Sequence, residues 1–430
     1  MFATLKNAWH IAELRKKIIF TLIIIVLFRL GAAVPVPFLD STALQNMVSG
    51  SGNLLGYLDI LSGGAFANAT IFALSITPYI TSSIVIQLLT VAIPALERMA
   101  KEGEDGRKKI NKITRYTSVA LALLQAFAYY TMLRNQSSAV EYTSGFAGVF
   151  VACVIVATFT GGAMLIVYLG ERIDDRGIGN GISLILFAGI VSRGPAALRK
   201  MWAYIQMANA GETMYYFTVP LIIVLFLALI VTIIVMTNAE RRIPVQYAKR
   251  VVGRKMYGGQ STFIPIKVNM SGVMPIIFAS SLLAIPSTIQ MFVKSTGMLS
   301  KVLGAFSHQS FLYAVLYGML ILAFNYFYVA IQYNPIEMSN NLRNNSGTIP
   351  GIRPGRPTSD FIARIISKIT LIGGFFLAFV AVLPIGVGAV TKMNIALGGT
   401  SIIIVVGVAL DTFRQLESQM MMRHYKGFLE

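Results

Sequence analysis

The side chains able to do chemistry in this chain are mostly cations. Of 430 residues, 36 are Lys or Arg and 18 are Asp or Glu, a formal net charge of +18. Many of the cations gather in two stretches. Residues 240–269 read ERRIPVQYAKRVVGRKMYGGQSTFIPIKVN, and 334–366 contain PGIRPG at 350–355. Arg241, Arg242, Lys249, Arg250, Arg254, Lys255, Arg353 and Arg356 are therefore candidate docking residues. Clustered cations of this kind bind polyanions, such as ribosomal RNA, or the acidic face of a soluble protein. The plainer alternative is surface charge that only orients the chain in a membrane. Other chemistries lack their residues. His10, His308 and His424 are far apart, and one cysteine, Cys153, allows neither a disulfide framework nor a cysteine zinc cluster. No Gly-Lys dipeptide occurs, so there is no P-loop. The GIGNG at 177–181 has the wrong spacing for a dinucleotide fingerprint. No catalytic constellation, metal site or cofactor site is expected.

The elements that carry these loops are apolar. The chain is 55% apolar and 13% charged, against about 25% charged in a typical soluble domain. Ten apolar runs are long enough, or nearly so, to cross a bilayer: 18–37, 71–93, 116–133, 145–169, 177–192, 215–237, 270–293, 311–333, 369–390 and 395–411. No cleavable signal peptide is expected. Alternate loops hold 28 and 7 of the 36 basic residues, with Arg29 inside the first run. The positive-inside rule then puts both termini in the cytoplasm. The external loop 193–214 goes against the rule, carrying Arg193, Arg199 and Lys200. Five runs precede about residue 215 and five follow, so the second half enters with opposite orientation, as in inverted repeats. This divides the chain into 1–192, an external hinge loop at 193–214, and 215–430.

Local signals refine the picture. Gly258-Gly259 marks a turn within 240–269, which reads as a hairpin, and PGIRPG reads as a stiff, non-helical tip. From Leu54 the chain is apolar over about forty residues, too long for one crossing and too short for two with a loop. The economical reading is a re-entrant half-helix at 54–66, broken at Gly63-Gly64, then a span from Ile71. Non-helical backbone at membrane depth requires cover by protein or water, so a vestibule is implied. Only Arg29 lies well inside a span, with Asp59 in the re-entrant piece and Asp411 at an inner end. That leaves no acidic relay for ion-coupled transport. A pore or scaffold without chemistry of its own fits best. A secondary transporter, a small-solute channel and an insertase stay open as competing classes.

Several stretches together resemble the SecY family, the central channel subunits of the bacterial Sec protein translocase. They are PYITSSIVIQLLT at 78–90, GIGNGISLILFAGIV at 177–191, RRIPVQYAKR at 241–250, QSTFIPIKVNMSGVMPIIFASS at 260–281, PGIRPG at 350–355 and GGTSIIIVV at 398–406. The resemblance implies an all-α integral membrane protein of ten transmembrane helices in two inverted pseudo-symmetric halves, with a re-entrant plug. It implies a pore ring at Ile80, Ile84, Ile182, Leu186, Ile277 and Ile404, where the position of Leu186 is usually Ile. The plug would comprise Leu54, Leu58, Ile60, Leu61, Gly63, Gly64 and Phe66. A lateral gate between the second and seventh spans would use Ser83, Gln87, Gln125, Asn269 and Pro275. The implied function is passage of unfolded, signal-sequence-bearing polypeptides across the plasma membrane and sideways release of membrane segments into lipid. The implied partners are SecE, SecG, SecA and the ribosome. SecA or the ribosome would dock on the two basic loops and supply the energy.

Overall fold

The computed structural model describes residues 8–40, 42, 44–45, 62, 64–136, 140, 142, 145–209, 214–247, 250–252, 255–257, 261–290, 310–391 and 399–426. Each of the ten apolar runs holds a helix. In chain order these are α1 (Ala12–Gly31), α2 (Thr77–Ala92), α4 (Glu104–Gln136), α5 (Gly145–Arg176), α6 (Gly181–Ser192), α8 (Met214–Asn238), α9 (Met274–Gln290), α10 (Phe311–Gln332), α12 (Arg356–Thr391) and α13 (Gly399–Lys426). Three shorter helices join them: α3 (Pro94–Lys101), α7 (Gly194–Asn209) and α11 (Pro335–Asn344). Among the described residues, six spans are long and apolar enough to cross a bilayer unaided, α6 and α7 together forming one of them. A seventh is α2 with α3, bent by 105° at Ile93. The bend has a covalent cause: Pro94 lacks an N–H and forces the residue before it out of the helical region, and Ile93 is extended at φ −109°, ψ 112°.

Two expectations are corrected here. Residues 71–76 are apolar but form turns, and the helix begins only at Thr77, with Pro78 in its first turn. Phe72, Ala73 and Ile76 are buried by protein, so their hydrophobicity reports a packed turn rather than a lipid-facing helix. The stretch 193–214, expected as an external loop, likewise contains a helix, α7. Its Met201, Tyr204 and Ile205 pack on Val219 and Ile222 of α8.

Antiparallel strands are present in the expected hairpin stretch 240–269. Strands β1 (Glu240–Tyr247) and β4 (Ser261–Lys267) pair antiparallel, and β2 (Arg250–Val252) pairs with β3 (Lys255–Tyr257). Val252 faces Lys255, so the chain reverses between them; Gly258-Gly259 lie outside the described residues. The second basic loop joins the same sheet: β5 (Gly347–Thr348) adds to β1 with Gln246 opposite Thr348, in the order β4-β1-β5.

The helices form two groups. One core is built from the N-terminal group alone and includes Tyr129, Leu133, Ile155 and Phe159. Another comes from the C-terminal group alone and includes Ile233, Tyr317, Ile321, Leu377 and Ile403. Between them, among the described residues, α13 touches α6 more extensively than α9 touches α2. A polar contact crosses the seam where Lys17 Nζ of α1 donates to Gln419 Oε1 of α13 (3.3 Å). Within the C-terminal group, Arg414 Nη2 of α13 donates to Thr237 O (3.0 Å) and Asn238 Oδ1 (2.6 Å) at the end of α8.

Candidate pore, gate and docking surface

A third core lies on the seam between the two groups. It joins Ile24 and Phe28 of α1 to Ile166 and Ile173 of α5, Ile185 and Leu186 of α6, and Ile404 and Val408 of α13. Five of the six expected ring positions meet here. Leu186 and Ile404 are buried within it, and Ile80, Ile182 and Ile277 pack against it. Ile84 is buried one helical turn beyond Ile80, outside this cluster. Their helices come from both groups, which explains why no single amphipathic stripe announces the site: each helix contributes one or two aliphatic side chains.

Of the expected plug, Leu54, Leu58, Ile60, Leu61 and Gly63 lie outside the described residues. Gly64 and Phe66 are described, and they form a turn rather than the end of a half-helix. Phe66 stacks on Tyr129 with ring centres 4.5 Å apart, and Tyr129 Oη donates to Phe66 O at 3.1 Å. Ala65 is fully buried in the seam core. Gly64 leaves room for the Arg193 guanidinium, whose carbon would lie 3.2 Å from a Cβ placed there. Arg193, one of the basic residues that go against the charge rule, is thus packed against the end of the expected plug stretch.

At the expected gate, Ser83, Gln87, Gln125 and Asn269 are half-buried and Pro275 is buried in the first turn of α9. Gln87 and Gln125 make no hydrogen bond among the described residues, and Asn269 Oδ1 is buried with no partner among them. The hydrogen bonds lie elsewhere. Ser82 Oγ donates to Thr114 O at 2.8 Å, tying α2 to α4. Asn325 of α10 bonds both Ser271 and the α12 backbone. Asn325 had a readable signal, an amide in the middle of the apolar run 311–333; Ser82 had none beside Ser83.

The docking residues divide. Arg353 and Arg356 are exposed. Their loop turns at Gly351 (φ +80°) and Gly355 (φ +100°), backbone angles that a side chain disfavours. It is tied down where Thr358 Oγ1 donates to Arg353 O and Ser339 Oγ donates to Gly355 O, both 2.8 Å. Arg241 is exposed. Arg242 is engaged: its Nε lies 2.7 Å from Glu240 Oε1, and its guanidinium stacks 4.6 Å from the Phe263 ring centre. Lys249 and Arg254 lie outside the described residues, and Arg250 and Lys255 are placed only by their backbone pairing in β2 and β3. The β1–β5 pairing puts both basic loops on one sheet. No group of three or more metal-ligating side chains occurs among the described residues.

Taken together, the helices and seam define a multi-pass α-helical membrane protein whose two helix groups meet around an aliphatic core. The family model SecY matches residues 70–413. A protein translocase subunit SecY of Thermotoga maritima is 41% identical over 437 residues, covering 100% of this chain and 98% of that protein. One from Streptomyces galbus is 43% identical over 446 residues, covering 100% of both. The chain belongs to the SecY family. The fold agrees. A solved structure described as that of a protein-conducting channel superposes with a TM-score of 0.65 at 18% identity, covering 94% of this chain and 92% of that one. Sec61 in a canine ribosome–channel complex from the endoplasmic reticulum gives 0.60 at 16% identity, covering 94% and 92%. The protein is a translocase subunit that forms a protein-conducting channel in a membrane.

Proposed function

We propose that Ile80, Ile84, Ile182, Leu186, Ile277 and Ile404 form the constriction through which an unfolded polypeptide passes in single file. The observation that carries this reading is the gathering of five of them, from four helices of both groups, into one seam core. An aliphatic constriction excludes ions by dewetting and makes no sequence-specific contact with a passing chain. That suits a channel whose substrates share no sequence. The stretch 54–66 is the plug, and α2 with α9 is the lateral gate. The small α2–α9 contact supports a seam that an entering apolar helix can part, and parting it releases membrane segments into lipid. The halves 1–192 and 215–430 hinge about 193–214.

The channel is passive, because the sequence offers no nucleotide site. Energy comes from SecA or the translating ribosome, docked on the sheet and tip that present Arg241, Arg353 and Arg356. SecE clamps the halves and SecG is a third subunit, in a bacterial plasma membrane with both termini cytoplasmic. Structures of relatives in ribosome complexes support the docking partner. The 28 basic residues on one side of the sequence-derived topology support the orientation.

The test is a crosslink. With Cys153→Ser as background and Ile84→Cys as probe, a stalled translocating chain should crosslink to position 84 along its length as the stall point is moved. Crosslinks found only from probes on the outward face of α2, such as Val85→Cys, would favour an insertase and contradict the pore reading.

A further inference from the structure

We propose that Asn325 pins the base of α9 to α10 and α12, so that the docking loops and the gate helix move as one mechanical unit. The inference rests on the gate and docking roles proposed above. Asn325 is 3% exposed and sits in the apolar run of α10. Its Nδ2 donates to Thr370 O of α12 at 2.8 Å. Its Oδ1 accepts from Ser271 Oγ, in the short link between β4 and α9. A buried amide is costly unless bonded, and here both its ends are bonded across three segments. Gly373 and Gly374 make room: a Cβ at Gly374 would lie 2.8 Å from Asn325 Nδ2, and one at Gly373 would lie 2.5 Å from Val268 O. Without that pair α12 could not close on both the amide and the link.

The same link is anchored on its other side. Met270, next to Ser271, belongs to a core that also takes in Ile243 and Val245 of β1, Ile266 of β4, Ile349 beside the PGIRPG tip and Ile362 of α12. This core underlies both basic loops. Packed interiors have low compressibility, so a load on the tip or the sheet reaches Met270 with little loss. Ser271 then passes it to α9, which begins three residues later at Met274. The core reaches Ser271 along the backbone from Met270, and the hydrogen bonds Ser271–Asn325–Thr370 hold that link rigid against α10 and α12, a contiguous physical connection. By contrast, among the described residues α9 touches α2 only lightly. A partner that shifts the loop block therefore draws α9 away from α2.

Spin labels at Val91→Cys and Met274→Cys, both exposed, would report the α2–α9 separation in a Cys153→Ser background. The complex with its small subunits is placed in nanodiscs, and SecA is added with a non-hydrolysable ATP analogue. In the parent, the distance distribution should shift to longer values when SecA binds. Ser271→Ala leaves the Asn325–Thr370 bond in place, and Asn325→Leu removes both bonds. Each variant should bind SecA as the parent does, yet show less than half of the parent's shift. A full shift in Ser271→Ala with SecA bound overturns the pin, whatever either variant does to thermal stability. If Asn325→Leu does not accumulate, Ser271→Ala decides. No shift in the parent with SecA bound overturns the gate reading itself, and the pin with it.

Discussion

Replacing Ile404 by Ser, alone and then with Ile84→Ser, should turn the resting channel into an ion leak. Ile404 is 3% exposed and packs in the seam core beside Leu186. A hydroxyl there gives water a hydrogen-bond partner where the aliphatic constriction offers none, so the dewetted segment fills. Because a barrier enters exponentially, removing each roughly 1.4 kcal/mol raises the leak about tenfold. Single-channel or flux measurements on the reconstituted complex should show at least a tenfold rise for the double variant. The same substitution costs stability, since large-to-small changes in a core cost about 2–5 kcal/mol. Conductance must therefore be normalised to assembled complex. An unchanged conductance per assembled channel would remove both residues from the seal and leave them as ordinary packing of the seam.

The second large effect is at the tip. Arg353→Glu should lower partner-driven translocation by tenfold or more while leaving assembly intact. Arg353 is exposed, and its loop is held by Gly351 and Gly355 in left-handed conformations and by the Thr358 hydroxyl on the Arg353 carbonyl. That carbonyl bond belongs to the backbone and survives the substitution, so the loop should keep its shape. An exposed substitution away from such features usually changes stability by about 0.5 kcal/mol or less. Breaking one partner of a buried interfacial charge pair costs about 2–5 kcal/mol or more, and a Glu adds repulsion from an acidic partner. The checks are SecA affinity and translocation rate, each against the amount of complex in the membrane. Loss of membrane accumulation, or normal translocation, would contradict a docking role. Arg242→Glu should have the smaller effect, since Arg242 is already engaged by Glu240 and Phe263.

The sequence was most legible where one physical signal acted alone. Ten apolar runs became ten helices, because a segment that long and apolar satisfies its backbone most simply by coiling on itself. Hydrophobicity says nothing, however, about where a helix stops. Thus α4 and α12 begin at Glu104 and Arg356, a dozen residues before their apolar runs. The turn at 71–76 misled for the same reason, since burial by protein and burial by lipid select the same residue types. Loop 193–214 hid a helix because α7 is amphipathic and its apolar face meets α8 rather than lipid. Pairing over long range left no local trace at all. Gln246 meets Thr348 about a hundred residues away, and nothing in either loop alone shows that both belong to one sheet.

The candidate site divides in the same way. The ring positions came from resemblance, and the convergence of five of the six in one core emerged only in three dimensions, because each helix supplies a few side chains that look like any other packing aliphatic. The polar contacts expected at Gln87 and Gln125 rested on residue type, yet neither is bonded among the described residues. The amide that does span helices, Asn325, was visible as a polar residue in the middle of an apolar run. It took the Gly373-Gly374 approach to give it partners.

The most direct measurement of the central claim is protease protection in reconstituted vesicles. The purified chain, with its small partner subunits, is given an unfolded presequence-bearing protein, SecA and ATP, with the protease outside. The account predicts that full-length substrate becomes protected, that protection needs both SecA and ATP, and that it falls with Arg353→Glu. Uptake of small solutes with no protected polypeptide would contradict it.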